Sequence, residues 1–147
     1  MKIYLATDHA GFEFKQNLKA FLHEKGYEVG DCGAFEMDPN DDYPDFISVA
    51  AKSVAKTPGS FGIVLGKSGA GECIVANKIK GIRAVLGVSE QNVRLAREHN
   101  DANVLSLGSE IVTEEQAKQF VELFINTPFS NEERHKRRIE KIKNLES

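Results

Sequence analysis

At 147 residues, with 41% hydrophobic and 28% charged side chains, the chain has the size of one domain and room for a single core. A formal net charge of -3 argues against a general nucleic-acid binder, although Arg and Lys crowd the C-terminal end into a local basic patch. Two cysteines, Cys32 and Cys73, are too few for a disulfide framework and lack the paired spacing of zinc ligands, so no metal is expected and a reducing cytoplasm is the natural compartment.

The N-terminal run from Lys2 to Thr7 reads as a strand that turns acidic at Asp8. It is not followed by the apolar stretch of a signal peptide, and nothing later approaches a membrane span, so a soluble intracellular protein is expected. Phe14, Leu18, Phe21 and Leu22 then line one face of a helix that Lys25-Gly26 closes. Further strands are predicted at Tyr27 to Asp31, Phe61 to Leu65, Arg83 to Leu86 and Asn103 to Leu107. Helices are predicted from about Tyr43 to Lys56, Gly71 to Ile79 and Ser89 to His99. Thr113 with Gln116, and Ser130 with Glu133, have capping-box spacing, and each precedes a long helical pattern. Strands alternating with helices in this way build βαβ units on a parallel sheet. The one long irregular segment, Gly33 to Asp42, is placed to rim a site.

Chemistry concentrates in the turn from Gly66 to Glu72, where Gly66, Gly69 and Gly71 let the backbone approach a ligand and present amide N–H groups to an anion. Glu72 falls in the first turn of the following helix, where a carboxylate suits the helix dipole as readily as it suits acid–base work. Asp8 is likewise both a good N-cap and a candidate site acid, with His9 beside it. His99 closes its predicted helix and reads there as a C-terminal cap, while His23 and His135 fall on polar helical faces. Arg134 and Arg138 are four apart, so their guanidinium groups share one face and suit either a phosphate clamp or a solvated basic surface. Together these groups describe proton transfer on a phosphorylated, oxygen-rich substrate. The Gly66-Lys67-Ser68 run fails the P-loop spacing because Phe61 stands where a glycine is needed. Ile74 breaks the dinucleotide fingerprint, and Gly66 to Gly69 does not form a nucleophile elbow.

An ordered set of motifs resembles the ribose-5-phosphate isomerase B and galactose-6-phosphate isomerase family along nearly the whole chain. They are Thr7 to Gly11, Asp42-Tyr43-Pro44, Gly62 to Gly71, Ala76-Asn77-Lys78, Gly81 to Ala84, Arg97 to Asn100 and Arg134 to Arg138. The resemblance implies a cofactor-free aldose–ketose isomerase of the pentose phosphate pathway. It implies a three-layer Rossmann-like α/β fold with sheet order 2-1-3-5-4, formed by a single domain over residues 1–147. It further implies a homodimer or homotetramer with sites built at the subunit interface, and a C-terminal helix, about 131–145, packed on the partner. Carried over to this chain, Asp8 orients the sugar or helps open its ring, His9 lies near phosphate or hydroxyls, and Tyr43 lines the pocket. His99 is the ring-opening acid or base, with Asn100 as a substrate contact. Ser68 passes a proton between the enediol oxygens, the amides of Gly69, Ala70 and Gly71 hold the negative charge, and Arg134 and Arg138 bind phosphate.

Many members of this family use a cysteine as base at the place of Gly66; this chain resembles the subgroup in which a glutamate at the place of Glu72 serves instead. Cys73 is turned by about 100° from Glu72 on the helix and is expected in the core. Glu110 replaces a phosphate-contacting arginine of the family, and Lys67 replaces a common glycine. Either Lys67 supplies the lost charge or pairs with Glu110, or the preferred substrate is not ribose 5-phosphate. The alternatives to a ribose 5-phosphate isomerase are an isomerase of a six-carbon sugar phosphate and a non-catalytic phosphate- or nucleotide-binding module. Neither a nucleic acid nor a membrane is an expected partner.

Overall fold

The computed structural model describes residues 1–146. Five apolar runs become the strands β1 (Lys2–Thr7), β2 (Glu28–Asp31), β3 (Phe61–Gly66), β4 (Ala84–Leu86) and β5 (Val104–Gly108), each within a residue or so of its sequence-derived bounds. They pair in parallel in the order β2-β1-β3-β5-β4. A parallel sheet needs a crossover after every strand. These are supplied by α1 (Phe12–Glu24), α2 (Tyr43–Lys56), α3 (Ala70–Asn77) and α4 (Glu90–Asn100), with α5 (Glu114–Asn126) and α6 (Glu133–Lys143) following β5.

Because strand side chains alternate faces, the sheet carries two cores. Ile3, Leu5, Ile63, Leu65, Leu105 and Leu107 point to one side and pack with Leu18 and Leu22 of α1, Val93 of α4 and Phe120 and Phe124 of α5. Ala6, Val64 and Val104 point to the other side and pack with Ile47, Ala51 and Val54 of α2 and Ala76 of α3. The strands are thus buried on both faces, which accounts for their near-continuous apolar runs.

The Thr113 capping box forms: its hydroxyl accepts from Gln116 N at 3.1 Å, and Gln116 Oε1 accepts from Thr113 N at 2.9 Å. A second box, Ser89 with Asn92, opens α4. The box expected at Ser130 does not form. Asn131 adopts a left-handed φ of 61°, which breaks the run into the helix, so α6 begins after Glu132 without a side-chain cap. His99 lies in the last turn of α4, as its helix-end reading expects, but the cap itself is Asp101, at φ 46°.

The α1 face carries a residue that its apolar stripe does not foretell. Lys15 is 0% exposed; its ammonium donates to Asp31 Oδ1 at 2.7 Å and to Ala34 O at 2.7 Å. Asp31 also accepts from Gly33 N at 2.9 Å and from Lys19 Nζ at 3.1 Å. Burial drives the Asp31 pKa up, but these donors outweigh it and hold the carboxyl below its ordinary value. The cluster fastens the start of the Gly33–Asp42 loop to the carboxyl end of β1, where Thr7 exchanges backbone bonds with Gly33 and Ala34.

Candidate active site

In the order β2-β1-β3-β5-β4 the chain winds one way from β1 and the other way from β3, so the loops after these two strands separate. A cleft of about 320 Å³ opens there, lined by Asp8, His9, Ala10, Tyr43, Lys67, Ser68, Gly71 and Glu72. Asp8 reconciles its two readings: Oδ1 accepts from Ala10 N at 3.0 Å and caps the short 3-10 turn His9–Gly11, while the residue also lines the cleft. His9 is half-buried and lies 2.6 Å through Nδ1 from Asp41 Oδ1, a bond that raises the imidazole pKa, with Asp8 adding to the effect.

The Gly66–Glu72 turn is built by glycine geometry. Gly69 has φ 81°, and a Cβ there would strike Leu86 and the backbone of Leu107 and Gly108. Ser106 Oγ donates to Gly69 O at 2.6 Å from beneath the turn, so the turn is pinned from β5. The Ala70 amide, expected in an anion cradle, donates to Ser68 Oγ at 3.2 Å. Helix α3 has no side-chain cap, and Glu72 sits in its first turn, 4% exposed. Burial raises the Glu72 pKa, its own amide and that of Gly69 oppose the rise, and the Asp8 charge adds to it.

Gly66 explains where that carboxyl fits. A Cβ built on Gly66 would overlap Cδ and both carboxylate oxygens of Glu72, so the carboxyl group fills the space that a side chain at position 66 would take. Tyr43 Oη closes the other side, within overlap range of a Cβ on Gly71. Cys73 is half-buried and absent from both cores, contrary to its expected place in the core; burial raises its thiol pKa, which disfavours the thiolate. Lys67 and Glu110 do meet, at 3.9 Å, with side chains 71% and 65% exposed, so the pair contributes little.

His99, Asn100, Arg134 and Arg138 are not brought to this cleft within one chain. Arg83, which precedes β4, donates through Nε to Asn100 O at 2.8 Å, so the end of α4 lies at the amino edge of the sheet. The cleft lies at the carboxyl edge, and the 5 residues of β5 put roughly 16 Å between the two edges. His99 stacks on His135 of α6, ring centroids 4.3 Å apart and planes inclined by 16°. His135 is buried rather than on a polar face; burial and the His99 charge lower its pKa. Its Nε2 lies 3.4 Å from Glu132 Oε2 without a hydrogen bond. Arg134 and Arg138 are exposed on the same helix, Arg134 lying 3.4 Å from Glu132.

Sequence reasoning missed Asp41 as the partner of His9 and His135 as the partner of His99. Asp41 falls at the end of the irregular Gly33–Asp42 segment, outside the Asp42-Tyr43-Pro44 motif, so no signal in the sequence marks it. Among the described residues no helix is long and apolar enough to cross a membrane.

The sequence profile of the ribose/galactose isomerase family matches residues 3–142. Ribose-5-phosphate isomerase B of Mycobacterium tuberculosis is 47% identical over 140 residues, covering 95% of this chain and 86% of the relative. The Escherichia coli protein of that name is 39% identical over 145 residues, covering 99% and 96%. Among solved structures, ribose-5-phosphate isomerase B of Mycoplasma genitalium with bound ribulose-5-phosphate superposes with a TM-score of 0.94 at 41% identity, covering 99% of this chain and 95% of that one.

Proposed function

The chain belongs to the ribose/galactose isomerase family, and from that membership we propose that it interconverts ribose 5-phosphate and ribulose 5-phosphate through a cis-enediolate, with Glu72 as base. The observation that carries the choice of base is the fit between Gly66 and Glu72: the carboxyl group occupies the space of the side chain that glycine lacks. Burial keeps the carboxyl pKa above its ordinary value, closer to the range useful for taking a proton from carbon.

In this reading the sugar lies across the cleft, with Asp8 and Tyr43 on its flank and His9 toward its phosphate. Once the ring is open, the Glu72 carboxylate takes the C2 proton. The C2 electron pair forms the C1–C2 double bond, and the carbonyl pair moves onto O1. The Ser68 hydroxyl gives its proton to O1 and receives one from O2, while amides of the Gly69–Gly71 turn meet the negative charge. Protonated Glu72 then returns its proton to C1, which leaves the ketone at C2 and restores the base.

His99 and Asn100, with Arg134 and Arg138, complete the site from a second copy of the chain. In a homodimer the amino-edge cluster of one subunit faces the carboxyl-edge cleft of the other, and the C-terminal helix packs on the partner. His99 then serves ring opening, and the arginine pair binds the phosphate as a fork. With both cysteines free, the reading places the enzyme in the reducing cytoplasm, in the pentose phosphate pathway.

The test is solvent deuterium exchange at C2 of ribose 5-phosphate. Wild type exchanges and isomerises, Glu72→Gln does neither, and Cys73→Ser keeps most of both. A folded but inactive Cys73→Ser would sink the assignment of the base, and a wild type that binds sugar phosphate without exchange would make the protein a binding module.

A further inference from the structure

The Gly33–Asp42 loop, expected to rim the site, supplies none of the residues that line the cleft, but it brings Asp41 against His9. Asp41 Oδ1 lies 2.6 Å from His9 Nδ1 and accepts the His9 backbone N–H at 3.1 Å. The Asp41 side chain is 8% exposed, and its Oδ2 is buried without a hydrogen-bond partner among the described residues. A carboxylate withdrawn from water with one oxygen unserved calls for a countercharge, and His9 is the ionic partner it has among those residues.

The other charges around His9 act in the same sense or are solvated. Asp8 at the turn and Asp38 on the loop both favour the imidazolium, whereas Lys67 across the cleft is largely exposed and Glu72 lies deeper in it. With Nδ1 engaged, Nε2 is the ring nitrogen left for a ligand.

We propose that Asp41 is a positioning residue for phosphate binding: it fixes the His9 ring through Nδ1 and holds it as an imidazolium whose Nε2–H meets the phosphate dianion of the substrate. The inference rests on the sugar-phosphate reading above. A phosphate monoester becomes a dianion above a pKa of about 6, so a free histidine would lose its charge over much the same range in which the ligand gains its second one. The Asp41 bond separates the two titrations, and cation and dianion coexist.

The test is Asp41→Asn, which keeps an acceptor oxygen and removes the charge. Just above the ordinary imidazole pKa, KM for ribose 5-phosphate rises about five- to tenfold, the equivalent of weakening one charge-assisted hydrogen bond, while kcat stays within about twofold. The pH at which KM begins to climb falls toward the ordinary imidazole value, and Asp41→Glu recovers part of the wild-type profile. Superimposable KM profiles, or a loss confined to kcat, overturn the proposal. An NMR titration of the His9 ring and the affinity for inorganic phosphate, both without sugar, separate the two readings. If wild type isomerises nothing, the isomerase reading fails, yet a lower His9 pKa with weaker phosphate binding in Asp41→Asn still upholds the role of Asp41. An unmoved His9 titration ends it.

Discussion

Adding one carbon at Gly66 should cost this protein its activity. An alanine Cβ there would fall inside contact distance of all three carboxyl atoms of Glu72, and ordinary non-bonded separations of about 3.5–4 Å oblige the carboxyl to retreat by about 1 Å or more. The side chain is 4% exposed, so it has no solvent to swing into without breaking the packing of the first turn of α3. Overpacking of this kind costs about 1–3 kcal/mol, and displacing a reacting group by 1 Å costs about 10²-fold in rate. Gly66→Ala should therefore melt about 2–12 °C lower and lose about 10²-fold in kcat. The sharper form is a double-mutant cycle. Gly66→Cys collides with Glu72 and Glu72→Ala removes the proposed base, so each single variant should lose about 10²-fold or more in kcat. Combined, the cysteine enters the vacated space and turnover recovers about tenfold or more above either single variant, a coupling expected of groups that share one space. Steady-state kinetics on ribose 5-phosphate and thermal melts read all four proteins. If Gly66→Ala keeps kcat within threefold of wild type, the carboxyl position seen here is not the catalytic one.

The buried Glu72 carboxyl should also cost stability. The folded pKa of Glu72 is raised, so between its ordinary and folded values the native state holds the extra proton and stability falls as pH rises through that window. Glu72→Gln should thus melt above wild type at neutral pH, with the gap closing below the ordinary carboxylate range; a variant melting lower at neutral pH would contradict this. On the opposite side of β1, Lys15→Met leaves Asp31 partly uncompensated and should cost about 3 kcal/mol at neutral pH by urea titration, because removing one partner of a buried pair is strongly destabilising. The Asp31 pKa is depressed, so this contribution is present above its unfolded value and lost on acidification through the folded one; the difference between variant and wild type should shrink in acid, and a constant difference would refute it.

The sequence by itself determined what local chemistry decides. Apolar runs alternating with helical periodicity specified five strands and their crossovers, the Thr113 box opened α5, and the glycine turn before Glu72 marked a segment that lines the cleft. Each of these depends on residues a few positions apart, and the sheet order came legibly from the family resemblance. The tertiary structure decided whatever depends on which strands become neighbours. Asp41 reaches His9 across 32 residues of chain, and Lys15 is buried because Asp31 meets it across α1 and β2. His135 leaves its polar pattern to stack under His99, and Ser130 forfeits its cap to a left-handed Asn131. Two sets of residues that read as one constellation lie at opposite edges of the sheet, because a crossover helix must end where the next parallel strand begins. The same constraint that makes the fold legible from its alternating pattern thus places His99 out of reach of its own cleft.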